Sequence, residues 1–214
     1  MIKTLLTIFF ICFSSLVLSK PSSILIDAKT GNEIVSHNAD FVRYPASLTK
    51  VLTLFIVFDY LKAGKLSLDE LITITPNAVR DMPNFKLYRV PGATITVDQA
   101  IRATAIKSAN DTAVALGEHI AGSEQAFVAM MNRKAVELGM ENSHFHHPAG
   151  LPSPKQTSTA RDLAKLARSI LMTHPEYAYF FSVPYFYFHN RKYKKAKFID
   201  FDFFIVWSII NDCS

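Results

Sequence analysis

The apolar positions of this 214-residue chain alternate in short runs near its beginning and take helical spacing through most of its middle. Two β-favouring runs, residues 23–27 and 33–36, lie on either side of residues 29–32, which contain a glycine. This pattern predicts a β-hairpin. A helix is then predicted from Ser47 to about Lys62, and because its residues are apolar on every side, we expect it to be buried all round.

The helical spacing of apolar residues also predicts that most of the chain between Lys62 and residue 173 is helical, with short extended stretches between the helices. The remaining predicted elements are extended stretches at residues 68–75 and 93–96, helices at residues 97–107, 111–121, 123–138 and 158–173, a loop at residues 142–151 and a strand at residues 185–188. Helices and strands that are segregated along the chain favour an α+β fold over a parallel α/β sheet.

The composition is that of a folded protein with a sizeable core. Half of the residues are apolar and 12% are aromatic, which excludes a disordered or low-complexity chain and suits one domain. The formal net charge is +5, but five of the cations lie in one short run at residues 191–197. The rest of the chain is close to balanced, so we expect no nucleic-acid partner and interpret the basic run as a solvated face or tail.

The first residues combine a lysine, a short apolar run and small residues, in the order found in secretory signal peptides. The run covers residues 5–13, and cleavage is expected after Ser19. We therefore predict a signal peptide at residues 1–19 and export of the protein; an uncleaved membrane anchor is the alternative, although the run is short for a span. Cys12 would leave with the signal, so Cys213 would have no intramolecular partner and no disulfide framework is expected.

Ser47 and Lys50 open the apolar helix three positions apart, which puts their side chains on one face, one turn apart. Ser47 lies near the positive end of the helix dipole. Burial among apolar side chains disfavours the charged form of lysine, so Lys50 is expected to present an amine that acts as a base. A hydroxyl beside a neutral amine suits nucleophilic catalysis. The structural alternative is a helix-capping serine followed by a lysine whose amine reaches solvent.

A second short motif contains Ser108 and Asn110, between two predicted helices, where a loop can direct side chains into a cleft. A hydroxyl and an amide at this spacing can relay a proton and hold a substrate carbonyl. The same pattern recurs at Ser36 and Asn38, which we interpret as hairpin surface. The structural alternative for Ser108 is a helix N-cap.

Segments around both motifs resemble one family: PASLTK at residues 45–50, SANDTAVA at 108–115, EHIAG at 118–122, residues 126–139, HPAGL at 147–151 and STARDLA at 158–164. The family is the serine-type D-alanyl-D-alanine carboxypeptidases, the low-molecular-mass penicillin-binding proteins, whose signature includes S-x-x-K and a serine–asparagine motif. The resemblance covers about residues 22–190. It implies that residues 20–190 form a partial domain of the α+β penicillin-binding-protein/β-lactamase-like transpeptidase fold, with a mostly helical subdomain and an incomplete antiparallel sheet.

The resemblance implies a role for each motif residue. Ser47 would attack the D-Ala-D-Ala peptide carbonyl to form an acyl-enzyme, with its own backbone N–H as one oxyanion donor, and Lys50 would accept the proton. Ser108 would pass a proton towards the leaving D-alanine, and Asn110 would position the substrate amide. The implied partners are a peptidoglycan stem peptide ending in D-Ala-D-Ala and β-lactam inhibitors, in the periplasm or at the outer face of the cytoplasmic membrane. The resemblance implies no metal or organic cofactor.

Two other chemistries have less support from the residues. A class A-like β-lactamase usually needs a glutamate followed four positions later by asparagine, whereas Glu141 is followed at that offset by Phe145. His144, His146 and His147 form a small cluster, and imidazole can bind zinc. Because no matching cysteine or aspartate spacing accompanies them and they lie in a family segment, no metal site is assigned.

The family's third motif, Lys-Thr-Gly, does not occur after the second motif. Its one copy, residues 29–31, lies in the predicted hairpin turn and is assigned no catalytic role, and no glycine follows Gly150. Residues 191–214 form a basic and then apolar tail that does not resemble the family and could contact a membrane surface. We therefore expect a gene product truncated or disrupted before the third motif, with a true short variant and a fragment as alternatives.

This departure predicts impaired activity. The strand that carries the third motif would supply an oxyanion donor, and losing one such donor typically costs about 10²–10³ in rate. The leading hypothesis is a serine D-alanyl-D-alanine carboxypeptidase impaired in this way. A non-catalytic peptidoglycan-binding scaffold and an inactive remnant are the other two hypotheses.

Overall fold

The structure is a computed structural model that describes residues 21–80, residue 87 and residues 91–195. The predicted signal peptide, most of the predicted tail and most of the loop between residues 80 and 91 lie outside the described residues. Within the described part the elements in chain order are β1 (Ser23–Ile26), β2 (Glu33–His37), α1 (Thr49–Lys62), β3 (Leu71–Thr73), α2 (Pro76–Val79), β4 (Thr94–Thr96), α3 (Val97–Ile106), α4 (Asn110–Ala121), α5 (Glu124–Glu137), α6 (Ala160–Thr173), β5 (Tyr185–Phe188) and β6 (Arg191–Lys194).

The described strands form three antiparallel pairs, β1 with β2, β3 with β4 and β5 with β6. The first pair is the hairpin that the sequence predicted, with Leu25 opposite Val35. Its turn holds the Lys-Thr-Gly sequence: the Thr30 hydroxyl and backbone N–H both donate to the Asp27 carboxylate, and Gly31 has a φ of +79°. Residues 29–31 therefore form a turn in this structure.

Helix α1 lies at the centre of the molecule, as its pattern predicted. Leu52, Leu54 and Phe58 have no exposed surface. One side of α1 packs in a core shared with α3 and α4, and the other side packs in a core shared with α5 and α6. Since each fully buried side chain of this size contributes about 1.5–3 kcal/mol, α1 holds the helical part of the fold together.

Two short elements in the described part escaped prediction because they are too short to show periodicity. Helix α2 is a single turn after Thr75, whose hydroxyl accepts from the Ala78 N–H. A 3-10 segment, Pro175–Phe181, comes directly after α6. It is held by aromatic contacts, since the Phe58 ring stacks on Tyr177 with ring centroids 5.0 Å apart.

Strand β6 also escaped prediction, because its residues are mostly basic. It pairs with β5 so that Phe186 stands opposite Tyr193, with their rings stacked at 5.3 Å. On the other face the Lys192 amine lies 3.8 Å from the centre of the Tyr185 ring. The first residues of the predicted tail thus form an exposed strand, and the domain boundary predicted at Asn190 falls in the turn between β5 and β6 and stays a prediction.

The arrangement of helices and small antiparallel sheets confirms the α+β class. Strand β2 is exposed along its whole length, and large apolar side chains in it and after it are exposed as well: Ile34, Val35, Phe41, Val42 and Tyr44. The buried cores therefore lie on the helical side of the β1–β2 hairpin.

Within the described ranges, no helix combines the length and the apolar character needed to cross a membrane.

Gly150 should be far less replaceable than a glycine of similar backbone conformation in open space. Gly150 has a φ of +75°, and an added Cβ would lie 1.8 Å from the Ala46 carbonyl oxygen. Gly64 has a φ of +65° and nothing within 4 Å of an added Cβ. We expect Gly64→Ala to lower the free energy of unfolding by about 1–2 kcal/mol, the strain of the left-handed conformation alone. Gly150→Ala must also push two backbone segments apart and should cost more than about 3 kcal/mol.

Urea unfolding measured by circular dichroism gives both losses. Equal losses for the two variants would contradict the tight approach of Gly150 to Ala46.

Candidate active site

Ser47 lies in a 3-10 turn, Ala46–Leu48, that leads directly into α1. Its Oγ atom is 3.2 Å from the Nζ atom of Lys50, within hydrogen-bond reach. The sequence predicted that the two side chains meet at the start of this helix. The α-helix itself begins two residues after Ser47, at Thr49. The Ser47 side chain is only partly buried. A substrate can therefore approach its hydroxyl from solvent.

Lys50 is buried, with 3% of its surface exposed, and its Nζ atom donates to the Ala149 carbonyl oxygen at 2.8 Å. Burial lowers the pKa of Lys50 to about 7, and the negative charge of Asp111 opposes this shift. Near neutral pH a large fraction of the molecules therefore carries a neutral amine at this position. Such an amine can take a proton from the Ser47 hydroxyl beside it.

The structural alternatives for the first motif are wrong. The residue that caps α1 is Leu48 and the one that caps the preceding 3-10 turn is Pro45, and neither end has a side-chain capping bond. Ser47 is therefore not a capping residue. Lys50 is almost entirely enclosed, so its amine does not reach to solvent. Burying a lysine without a carboxylate in direct contact is costly, which is typical of functional sites.

Residues 144–157, here named the covering loop, close the site over the first turns of α1. The Thr53 hydroxyl donates to the Pro148 carbonyl at 2.8 Å, one residue before the carbonyl that accepts from Lys50. Farther along the loop, the Gln156 side chain donates to the Thr49 hydroxyl at 2.6 Å. The covering loop is thus bonded to successive turns of α1, and it is this contact that removes Lys50 from water.

Gln156 also organises the covering loop itself. Its side-chain oxygen accepts from the backbone N–H groups of His146 and His147, at 2.8 and 3.0 Å. The side chain is buried, with 1% exposed, so each of these hydrogen bonds replaces one that water would otherwise make. The Gln156 side-chain amide therefore links Thr49 of α1 to the backbone of His146 and His147 in the covering loop.

Ser108 of the second motif lies in the connection between α3 and α4, as predicted, whereas Asn110 is the first residue of α4. Ser108 is buried, with 1% of its surface exposed, and has a φ of +60°, in the left-handed region. Among the described residues its hydroxyl has no hydrogen-bond partner. The residue that caps α4 is Ala109, so the capping alternative for Ser108 is wrong. A strained backbone with an unpaired buried hydroxyl is more typical of a functional position than of a structural one.

Asn110 and Asp111 begin α4, next to α1. Both are buried, and the Asp111 carboxylate accepts from the backbone N–H groups of Leu87 and Thr112, at 2.8 and 2.9 Å. The same carboxylate is close enough to Lys50 to raise the pKa of that amine. This interaction brings the start of α4 into the electrostatic environment of the first motif. The Ser108 hydroxyl makes no hydrogen bond to Ser47 or Lys50 in the described part of the chain.

Two histidines of the covering loop, His144 and His147, bond through their rings to the backbone of the loop. The Nδ1 atom of His144 lies 2.8 Å from the Lys155 carbonyl oxygen, and that of His147 accepts from the Ala149 N–H at 3.0 Å. Over the described ranges, no group of three metal-binding side chains comes together. These imidazoles therefore serve the conformation of the loop.

Sequence reasoning missed the residues that enclose Lys50. Ala149, Gln156 and Asp111 lie about 60 to 110 positions from it, and none belongs to a motif whose spacing reveals the contact. The one available signal was Gly150, a glycine in a loop, whose φ of +75° permits its close approach to Ala46.

Comparison with known proteins identifies relatives of this chain. The sequence model of peptidase S11, D-alanyl-D-alanine carboxypeptidase, matches residues 14–200. The chain is 38% identical to D-alanyl-D-alanine carboxypeptidase DacA of Escherichia coli (strain K12) over 159 residues, which are 72% of this chain and 40% of that protein. It therefore spans about two-fifths of the length of the curated relatives that it matches.

Solved structures give the same result. The D-alanyl-D-alanine carboxypeptidase DacD of Francisella tularensis is similar over 84% of this chain and 43% of its own, with a TM-score of 0.77 and 37% identity. Penicillin-binding protein D2 of Listeria monocytogenes, solved in its cefotaxime-bound form, is similar over 84% of this chain and 73% of its own, with a TM-score of 0.73 and 29% identity. The predicted penicillin-binding-protein-like fold is thus confirmed.

The family match covers most of the chain, including the serine–lysine pair, the connection before α4 and the covering loop. Both the sequence and the fold lead to the same group of proteins. This chain belongs to the peptidase S11 family of D-alanyl-D-alanine carboxypeptidases.

Proposed function

We propose that this chain is a serine D-alanyl-D-alanine carboxypeptidase that trims peptidoglycan stem peptides through an acyl-enzyme on Ser47. The observation that carries the proposal is the 3.2 Å approach of the Ser47 hydroxyl to an enclosed lysine amine whose pKa is lowered to about 7. A hydroxyl is a weak nucleophile at neutral pH and needs such an adjacent base. The names of the relatives give the substrate class.

The acylation step uses both residues of the first motif. The Ser47 oxygen attacks the carbonyl carbon of the penultimate D-alanine while its proton passes to the neutral Lys50 amine. The negative charge that develops on the carbonyl oxygen is met by the backbone N–H of Ser47, at the head of α1. The Ala149 carbonyl keeps the Lys50 amine in place through the hydrogen bond that it accepts.

The second motif completes the reaction. As the peptide bond breaks, the Ser108 hydroxyl hands its proton to the nitrogen of the departing D-alanine and takes up in its place the proton that Lys50 accepted from Ser47, which leaves Lys50 neutral again. Asn110 holds the substrate amide. Water then attacks the Ser47 ester, restoring the serine hydroxyl and releasing the shortened stem peptide. The unpaired hydroxyl of Ser108 supports this role because a relay group needs a partner supplied by the substrate.

The partners and location are inferred from the same chemistry. A β-lactam ring offers a strained amide in place of the peptide bond and acylates the same serine, and a related structure is known in a cefotaxime-bound form. The substrate lies outside the cytoplasmic membrane, so we propose that the protein acts there after export. The apolar segment at its start supports this location.

A fluorescent penicillin tests the nucleophile. We expect stable covalent labelling of the wild-type chain and none of Ser47→Ala, because no other hydroxyl is paired with an enclosed amine in the described residues. Ser36→Ala is the matched control, since Ser36 lies in an exposed S-x-N sequence on β2 and should label like the wild type. Ser108→Ala should label more slowly, by roughly 10²-fold, through loss of the proton relay.

Labelling that persists in Ser47→Ala would disprove the assigned nucleophile. A chain that binds stem peptide without being labelled would be a non-catalytic scaffold, and a chain that neither labels nor unfolds cooperatively would be an inactive remnant.

The labelling rate should depend on pH through Lys50. The reactive form is the neutral amine, so the rate is lost as the pH falls through the pKa of about 7 and is constant above it. We expect the rate at pH 6 to be about tenfold lower than the constant rate at alkaline pH. Stopped-flow labelling between about pH 6 and pH 9, with circular dichroism to verify folding at each pH, measures the profile. A rate that keeps rising up to about pH 9 without reaching a plateau would mean that Lys50 has the ordinary lysine pKa and is not enclosed in solution.

A further inference from the structure

His147 lies inside the covering loop, with its imidazole 13% exposed. Its Nδ1 atom is 3.0 Å from the backbone nitrogen of Ala149, two residues later, and this N–H is the donor. A ring nitrogen that accepts from an N–H must carry a lone pair, so Nδ1 is unprotonated in this conformation. The proton of the neutral ring is then on Nε2.

The Nε2 side of the ring faces an anchored carboxylate. Nε2 lies 3.6 Å from the Glu124 carboxylate at the start of α5. Glu124 is held in turn by the Asn77 amide, which donates to it at 2.7 Å and to Glu118 at 2.8 Å. This carboxylate favours the proton on Nε2 and so selects the tautomer that leaves Nδ1 free to accept.

The hydrogen bond to Nδ1 controls where the Lys50 partner points. Ala149 donates to His147 through its N–H and accepts from Lys50 through its carbonyl oxygen. The two groups lie in adjacent peptide units that meet at the Ala149 Cα atom, so a displacement of this Cα that breaks the first bond also displaces the carbonyl relative to the Lys50 amine. Thr53 and Gln156 hold the loop on either side, but neither bonds to Ala149.

We propose that neutral His147 is a positioning residue that fixes the Ala149 carbonyl on the Lys50 amine, and that protonation of the imidazole releases this carbonyl. A proton on Nδ1 would face the Ala149 N–H, and two donors cannot share one hydrogen bond. The covering loop must then change conformation at this point. The hydrogen bond between the Ala149 N–H and the His147 ring, together with its release on protonation, is here named the latch. The consequence for catalysis rests on the proposed function, whereas the latch itself does not.

The charged groups around the imidazole set the pH at which the latch opens. Burial lowers the pKa of His147; Glu124 opposes the shift, while Lys50 and His146 add to it. The imidazole is therefore neutral at every pH within and above the range in which histidine ordinarily titrates. The latch opens only at a pH below that range. Because Lys50 is one of these groups, the two titrations are coupled.

Two substitutions separate the ability of the side chain at position 147 to accept a hydrogen bond from its ability to take up a proton. His147→Asn places a side-chain oxygen where it can accept from the N–H two residues later, as in an Asx turn, and it does not titrate. His147→Leu offers no acceptor. With fluorescent penicillin at pH 8, we expect His147→Leu to be acylated roughly tenfold more slowly than the wild type, as for loss of a hydrogen bond to a positioned group, and His147→Asn to recover most of that rate.

The pH profile distinguishes a latch from a merely structural role. In the wild type the rate should fall with the first power of proton concentration just below the Lys50 pKa and with the second power at more acid pH. In His147→Asn the first power should persist throughout. His144→Asn, in the same loop but with its ring bonded elsewhere, is the matched control and should keep the two-proton fall. A first-power fall in the wild type, or a two-proton fall in His147→Asn, would overturn the proposal.

Nuclear magnetic resonance tests the latch without any activity. The imidazole ¹⁵N shifts of His147 in the full chain should show an unprotonated Nδ1 and a protonated Nε2 at neutral pH. On acidification, the protection of the Ala149 amide against hydrogen exchange, taken relative to the exchange rate of an unstructured amide at the same pH, should fall in step with protonation of the ring. The opposite tautomer, or an Ala149 amide that exchanges independently of that protonation, would disprove the latch. If the chain is not labelled by penicillin at any pH, the proposed function fails, while these measurements still decide the latch.

Discussion

The site depends on keeping one lysine amine away from water. Lys50 has only 3% of its surface exposed, and the loop that encloses it comes from a distant part of the chain, with Ala149 as its hydrogen-bond partner. Between a pH of about 7 and the ordinary lysine range, the unfolded chain binds the lysine proton more strongly than the folded chain does. The folded state is therefore destabilised at neutral pH relative to alkaline pH. The packing around α1 must offset this cost.

Strain near the two motifs adds to the cost. Ala46, directly before Ser47, and Ser108 both have positive φ values, of +47° and +60°. A non-glycine residue in such a conformation typically costs about 1–3 kcal/mol and persists only where the surroundings determine it. Here the buried side chains of α1 on one side and the approach of Gly150 to Ala46 on the other provide those surroundings. The stable core thus supports a strained and desolvated site.

Much of the fold was predictable because its longest elements carry strong local patterns. Helix α1 is apolar on all sides and is buried on all sides, and the runs on either side of residues 29–32 form the β1–β2 hairpin. The elements that were missed lack such patterns. Strand β6 is basic and exists because Tyr193 stacks on Phe186 of its partner strand, and the Pro175–Phe181 segment is held by rings that pack on Phe58. Contacts between distant residues decide such elements, and local periodicity does not record them.

The sequence by itself determined which groups are available for the chemistry and how two of them are spaced. Ser47 and Lys50 meet because one helical turn brings them together, a local property of the chain. Only the tertiary structure decided that Lys50 is enclosed, that Asp111 lies near it, and that a carbonyl of the covering loop receives its hydrogen bond. These depend on pairing segments about 60 to 110 residues apart, through buried surfaces whose complementarity is not encoded in any short stretch of residues.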